Sequence, residues 1–176
     1  MCSYSFIGMP TCHFTFHAYR AWRADHPRGY VKRNKGVVPP NSDEAASWDR
    51  QAKGGAVVFD ERIQSILICG AKDICDRRNW ILEGIGTDPT HIHLAISWNG
   101  FVKCDDVLAK LKNVLSYILG KWSGKRGKRW FGRYGDWKVV TDAEHLEYLL
   151  ASYFPGHRGL CWRRGGPLPT IPDGLW

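Results

Sequence analysis

His91 and His93 stand two residues apart in Thr90-His91-Ile92-His93-Leu94. In an extended strand, residues at i and i+2 project from one face, so two imidazoles at this spacing bring their ring nitrogens close enough to hold one divalent cation. Ile92, Leu94, Ile96 and Trp98 would share the opposite, apolar face. His91 and His93 share theirs with the small residues Ala95 and Ser97, which leave room above the rings. A second chemical candidate is Tyr148. On a helical projection Leu146, Leu149, Leu150 and Tyr153 form the apolar stripe, while Tyr148 falls on the other side with Glu144, His145 and Ser152. A phenol with an ordinary pKa of about 10 is a feeble nucleophile unless a bound metal polarises its electrophile and helps its proton leave. A histidine-held cation beside Tyr148 would supply that help.

The elements that must position these groups are legible as alternating patterns. Cys12 to Tyr19 alternates with period two, placing His13, Thr15 and His17 on one strand face and Phe14 and Phe16 on the other. His13 and His17 read as a sheet-lining pair near the site rather than as ligands. From Arg20 to about Gly55 periodicity vanishes, and Pro27, Gly29, Gly36, Pro39 and Pro40 punctuate what reads as a long basic loop. Asp60 can cap a helix running to about Arg77, with Ile63, Ile66, Leu67, Ala71 and Ile74 on its buried side. Trp80–Ile85 and Thr90–Trp98 read as two strands of a hairpin joined at Thr87-Asp88-Pro89. A second amphipathic helix covers about Asp105 to Lys121. Trp137-Lys138-Val139-Val140 reads as a short strand. Thr141-Asp142-Ala143-Glu144 has capping-box spacing, so a helix carrying Tyr148 should begin at Thr141 and end before Pro155-Gly156. The tail from Arg158 to Trp176 is rich in Gly and Pro and reads as irregular.

Composition narrows the class of partner. The chain of 176 residues has 25 Lys and Arg against 17 Asp and Glu, a formal charge of +8, which favours a polyanion over a neutral small substrate. Lys121, Lys125, Arg126, Lys128, Arg129 and Arg133 are interleaved with Trp122, Trp130 and Phe131. That mixture suits phosphate contacts combined with base stacking, Trp130 being one candidate platform. Arg20, Arg23, Arg28, Lys32 and Arg33 could grip a DNA hairpin through its backbone. The six cysteines lack metal-ligand spacing and read as free thiols. No apolar run approaches a membrane span, and the expectation is a soluble cytoplasmic protein forming one domain over residues 1–176.

Over about residues 11 to 162 the order of elements, with Thr-His-Ile-His-Leu in a strand and Glu147-Tyr148-Leu149-Leu150 in a late helix, resembles the single-tyrosine HUH transposases. These move insertion sequences as single-stranded DNA, and their REP-associated relatives share the scheme. Gly156-His157-Arg158-Gly159-Leu160 resembles the segment following the tyrosine in the REP-associated members. The resemblance implies an α+β, ferredoxin-like sandwich: an antiparallel sheet carrying the HUH strand, helices on one face, and a C-terminal tyrosine helix. It implies a homodimer acting on single-stranded DNA hairpins. Tyr148 would attack a phosphate to form a 5′-phosphotyrosine, with Mg²⁺ or Mn²⁺ on His91 and His93. The family's third polar ligand, one turn after the tyrosine, falls here on Ser152, a weak ligand; water, Glu144, His145 or Asp88 are alternatives. A replication initiator or relaxase-type nickase uses the same chemistry but commonly carries Tyr-x-x-Lys, where this chain has Ala151. A domesticated, non-cutting nucleic-acid-binding protein is the other reading.

Overall fold

The computed structural model describes residues 9–32 and 35–171. Cys2, Arg33 and the end of the tail lie outside the described residues. The chain order is β1 (Thr11–Ala18), β2 (Tyr30–Lys32), β3 (Gly36–Val38), α1 (Ser42–Gln51), α2 (Glu61–Arg77), β4 (Trp80–Asp88) and β5 (His91–Trp98). It continues through α3 (Cys104–Trp122), β6 (Phe131–Val139), α4 (Ala143–Tyr148), a π-helical turn (Leu149–Tyr153) and β7 (Cys161–Arg163). Five strands form one sheet in the order β6-β1-β5-β4-β7, every adjacent pair antiparallel. The succession β1-α2-β4-β5-α3-β6, with the β2–β3 hairpin and α1 inserted after β1 and the C-terminal helix and β7 added at the end, is the βαββαβ ferredoxin-like arrangement that the family resemblance implied.

The two sheet faces do different work. Phe14, Phe16, Ile92, Leu94, Ile96 and Trp98 turn to one side, where α2 and α3 cover them and all six are buried. Both helices are amphipathic as their spacing predicts. Asp60 caps α2 by accepting from the Ile63 amide at 2.8 Å. The other face carries the histidines and is roofed at one side by the C-terminal helix, through a smaller cluster of Ala95, Val140, Leu149 and Phe154.

Several expectations need correction. Residues 20–55 are not one loop: they hold the β2–β3 hairpin and α1, stitched around Ala24, Tyr30 and Ala45. Asn41 caps α1 through the Glu44 amide. Among its ten residues only Ala45 is buried, so no apolar stripe marked it. Strand β6 starts at Phe131, not Trp137, and consumes the end of the basic segment. The late helix is capped by Asp142 rather than Thr141, with Asp142 Oδ1 accepting from the His145 amide at 2.7 Å. Part of the supposed irregular tail is β7, which adds to the β4 edge. The five described cysteines are free. Among the described residues no helix is long and apolar enough to cross a membrane.

Candidate metal centre

Sheet register builds the floor of the site. His91 lies between His17 on β1 and Asp88 on β4, and His93 lies between Thr15 and Gly86. The period of two thus places His13, Thr15, His17, His91 and His93 on one face. A third imidazole, His157, reaches this face from the turn after the C-terminal helix. One ligand atom from each of His91, His93 and His157 lies within 4.8 Å of the others.

Each ring has one nitrogen already engaged. His157 Nδ1 is 2.8 Å from the Tyr153 carbonyl oxygen; a carbonyl can only accept, so Nδ1 bears a proton and Nε2 is the nitrogen left to serve as a ligand. His91 Nδ1 is 2.9 Å from Thr90 Oγ1, and that hydroxyl donates its single proton to Asp88 Oδ1 at 2.8 Å. Thr90 Oγ1 must therefore accept from His91 Nδ1–H, which again frees Nε2. His93 Nδ1 is 2.9 Å from His13 Nε2 and 3.0 Å from Thr15 Oγ1, while its Nε2 is buried with no hydrogen-bond partner among the described residues. Buried polar atoms are seldom left so. An orphaned imidazole nitrogen beside two other free Nε2 atoms fits a divalent metal.

The electrostatics agree. Burial, with repulsion from His13, His91 and His157, lowers the His93 pKa to about 2. Burial lowers His91 to about 4 against the opposing pull of Asp88, and burial likewise takes His13 to about 4. Ligand imidazoles must be neutral, and these two are at physiological pH. Asp88 is itself buried. Burial works to raise its pKa, but the Thr90 hydrogen bonds, His91 and Arg158 outweigh this and hold it below the usual carboxylate value.

The C-terminal helix departs from the α-helical projection. The Phe154 amide bonds to the Leu149 carbonyl, an i→i−5 link, at 2.8 Å. This π turn widens the helix by one residue. It carries Tyr153, expected in the core, onto the histidines: its ring centroid lies 5.1 Å from that of His93, 4.9 Å from His157 and 5.6 Å from His13. Tyr148 is 56% exposed and stands one ring further out, 6.3 Å from Tyr153. Ser152 is exposed, and the third imidazole beside His91 and His93 is that of His157. Asp88, one of the alternative ligands, supports His91 through Thr90. Gly86, which pairs with His93, is what lets the π turn sit this low: a Cβ there would lie 2.8 Å from Phe154 Cβ and 2.9 Å from its Cα.

Lys121, Lys125, Arg126, Lys128, Arg129 and Arg133 are all exposed, and none forms an ion pair among the described residues. Trp130 differs from expectation: only 2% exposed, it belongs to the core beneath Lys128, whose Nζ lies 4.2 Å from the ring centroid. It has no free face for a base. The Tyr19 amide bonds to the Trp130 carbonyl and the Ala18 amide to the Thr90 carbonyl. The end of the basic segment therefore lies at the same end of β1 as His91. By contrast, Arg20 and Arg23 are both paired with Asp49.

Sequence reasoning missed His157 and Tyr153 as site residues. The signal available was their spacing of four, the same tyrosine-to-ligand interval sought from Tyr148 to Ser152.

No protein-family model and no curated protein matches the chain. Among solved structures, the chain is similar to a REP-associated tyrosine transposase bound to a REP hairpin, at 12% identity and a TM-score of 0.46, covering 89% of this chain and 74% of that one. It is also similar to a Deinococcus radiodurans protein provisionally described as a transposase, at 12% identity and a TM-score of 0.42, covering 91% of this chain and 99% of that one.

Proposed function

We propose that the protein is a metal-dependent endonuclease and strand transferase for single-stranded DNA, working as a tyrosine transposase. The observation that carries this reading is the convergence of three imidazoles, each with its other nitrogen engaged, directly beneath a tyrosine ring. His91, His93 and His157 would hold the ion. Bound there, a divalent cation supplies Lewis acidity to a phosphate diester. Three neutral nitrogen donors suit Mn²⁺ better than Mg²⁺, which prefers oxygen.

Tyr153 is the nucleophile this geometry favours. Its phenolic oxygen would lose its proton and attack phosphorus while the bond from phosphorus to the 3′-oxygen breaks, giving a 5′-phosphotyrosine and a departing 3′-oxygen that takes up a proton to become a 3′-hydroxyl. Burial, with the neighbouring Tyr148, raises the Tyr153 pKa, so the phenol is not activated by the protein alone. A second reading assigns the attack to Tyr148, which its 56% exposure favours because DNA can reach it freely. In either case the exposed cations from Lys121 to Arg133 would bind the backbone of the same strand, a hairpin being the expected substrate and a homodimer the expected assembly.

The test is incubation of a labelled single-stranded hairpin with the protein and Mn²⁺. A covalent adduct that disappears in Tyr153→Phe supports the reading; one that disappears only in Tyr148→Phe transfers the role. DNA binding with no adduct in the unaltered protein would leave a non-cutting binding protein instead.

A further inference from the structure

The third imidazole sits in a turn, yet that turn is fastened from the far side of the sheet. Gln64 lies on α2, in the layer opposite the histidines, and is only 4% exposed. Its amide nitrogen donates to the Phe59 carbonyl at 2.7 Å, which fixes the amide orientation. Its Oε1 then accepts from the Leu160 amide at 2.9 Å and faces the Thr87 hydroxyl at 2.8 Å. Thr87 holds the same residue by its backbone, its amide donating to the Leu160 carbonyl at 2.9 Å. Between Leu160 and His157 there are only two residues, and one is Gly159. A Cβ on Gly159 would collide with Gln64 Oε1 and the Thr87 carbonyl. The other, Arg158, is 81% exposed and reaches Asp88 at 3.4 Å, a contact worth little in water.

Buried hydrogen bonds of this kind are costly to leave half made. Upstream, His157 is held through the Tyr153 carbonyl; downstream, the fixed point is Leu160. We infer that Gln64 is a positioning residue for His157, setting the depth at which the third imidazole meets His91 and His93. The inference rests on the metal-centre reading above. It extends the site to a residue on the opposite side of the sheet that touches neither metal ligand nor DNA.

The experiment is Co²⁺ titration of the full chain, followed by visible d–d absorption. Gln64→Met fills the space but offers Leu160 no acceptor; Gln64→Glu, assayed at a pH where its buried carboxyl is protonated, keeps the accepting oxygen and donates its hydroxyl to the Phe59 carbonyl. Outer-layer partners of metal ligands typically contribute about 10- to 100-fold in affinity. Gln64→Met should therefore weaken Co²⁺ binding about tenfold or more and shift the spectrum toward that of His157→Ala, while Gln64→Glu keeps the wild-type spectrum. Added to His157→Ala, Gln64→Met should cost nothing further. A folded Gln64→Met protein with wild-type affinity and spectrum overturns the inference, as does an equal loss in the two backgrounds. Should Gln64→Met fail to fold, Gly159→Ala displaces the same turn by steric contact, and wild-type Co²⁺ affinity there overturns it equally. Wild-type protein without any Co²⁺ response removes the metal centre itself, a result distinct from a metal-binding protein indifferent to Gln64.

Discussion

The Nδ1 of His157 lies 2.8 Å from the carbonyl oxygen of Tyr153, so the residue proposed to attack and a residue proposed to hold the metal are joined by one hydrogen bond. The backbone of Tyr153 fixes the tautomer of His157, while its ring packs against the same imidazole at 4.9 Å between centroids. Moving either one moves the other.

His157→Ala should weaken Mn²⁺ binding by at least tenfold in calorimetry, because a three-nitrogen set becomes a two-nitrogen set. Ser152→Ala should leave it within error. A loss in Ser152→Ala with none in His157→Ala would return the third-ligand role to the residue on which the family resemblance placed it.

Metal-free protein should lose stability as the pH falls from about 6.5 toward 4. Burial in the fold lowers the pKa of His91 and His13 to about 4 and that of His93 to about 2, against an ordinary imidazole value of 6.5. Below pH 6.5 the unfolded chain thus binds protons that the folded chain refuses, and stability falls with pH. Each histidine contributes up to about 1.4 kcal/mol per pH unit in that window. Urea midpoints at pH 7 and pH 5 measure it, and His93→Gln should flatten the slope. A slope unchanged by that substitution would show that His93 is not held neutral.

Gly86→Ala should both destabilise the fold and displace the site. The added methyl meets the Phe154 backbone, which has no side-chain freedom to yield, and overpacking of this kind costs about 1–3 kcal/mol. Thermal unfolding would report the cost. Adduct formation at temperatures where the variant is fully folded would report displacement of Tyr153, with a fall of at least tenfold expected.

The basic segment and its tryptophan should separate cleanly. Replacing Lys125, Arg126 and Arg129 by Glu should weaken single-stranded DNA binding and reduce its salt dependence, since fewer counterions are released. Trp130→Ala should instead lower stability by about 3–5 kcal/mol as a core truncation. DNA affinity of the folded protein would then be nearly unchanged.

What the sequence made legible follows from which forces act locally. Period-two and period-three-to-four patterns were visible for β1, β5, α2 and α3, because each buries one face against a large core. His91 and His93 were legible for the same reason. Helix α1 was not, since it buries one alanine and owes its place to a cap and to contacts with its own small cluster. Strand β7 is three residues at a sheet edge, too short to alternate. Trp130 looked like a stacking platform because its neighbours are basic, and nothing local says that it turns inward. Tyr148 is exposed, as the α-helical projection has it; the place of Tyr153 beside the histidines was not legible, because the hydrogen bonds of its segment run i→i−5.

That π turn makes residue number itself a structural variable. Each residue of an α-helix turns the chain by about 100°, and the widened turn holds one residue more than an α-helical turn would. Removing a single residue between Leu149 and Ser152 would let the same Leu149-to-Phe154 link close as an ordinary i→i−4 bond, and the residues beyond it would keep nearly their present azimuth. Closing the turn as an α-helix with all its residues in place would instead swing everything beyond it about a quarter of a circle, lifting the Tyr153 ring away from His93. The site is therefore keyed by chain length as well as by chemistry: the extra residue that the wide turn absorbs is what lays Tyr153 over the histidines.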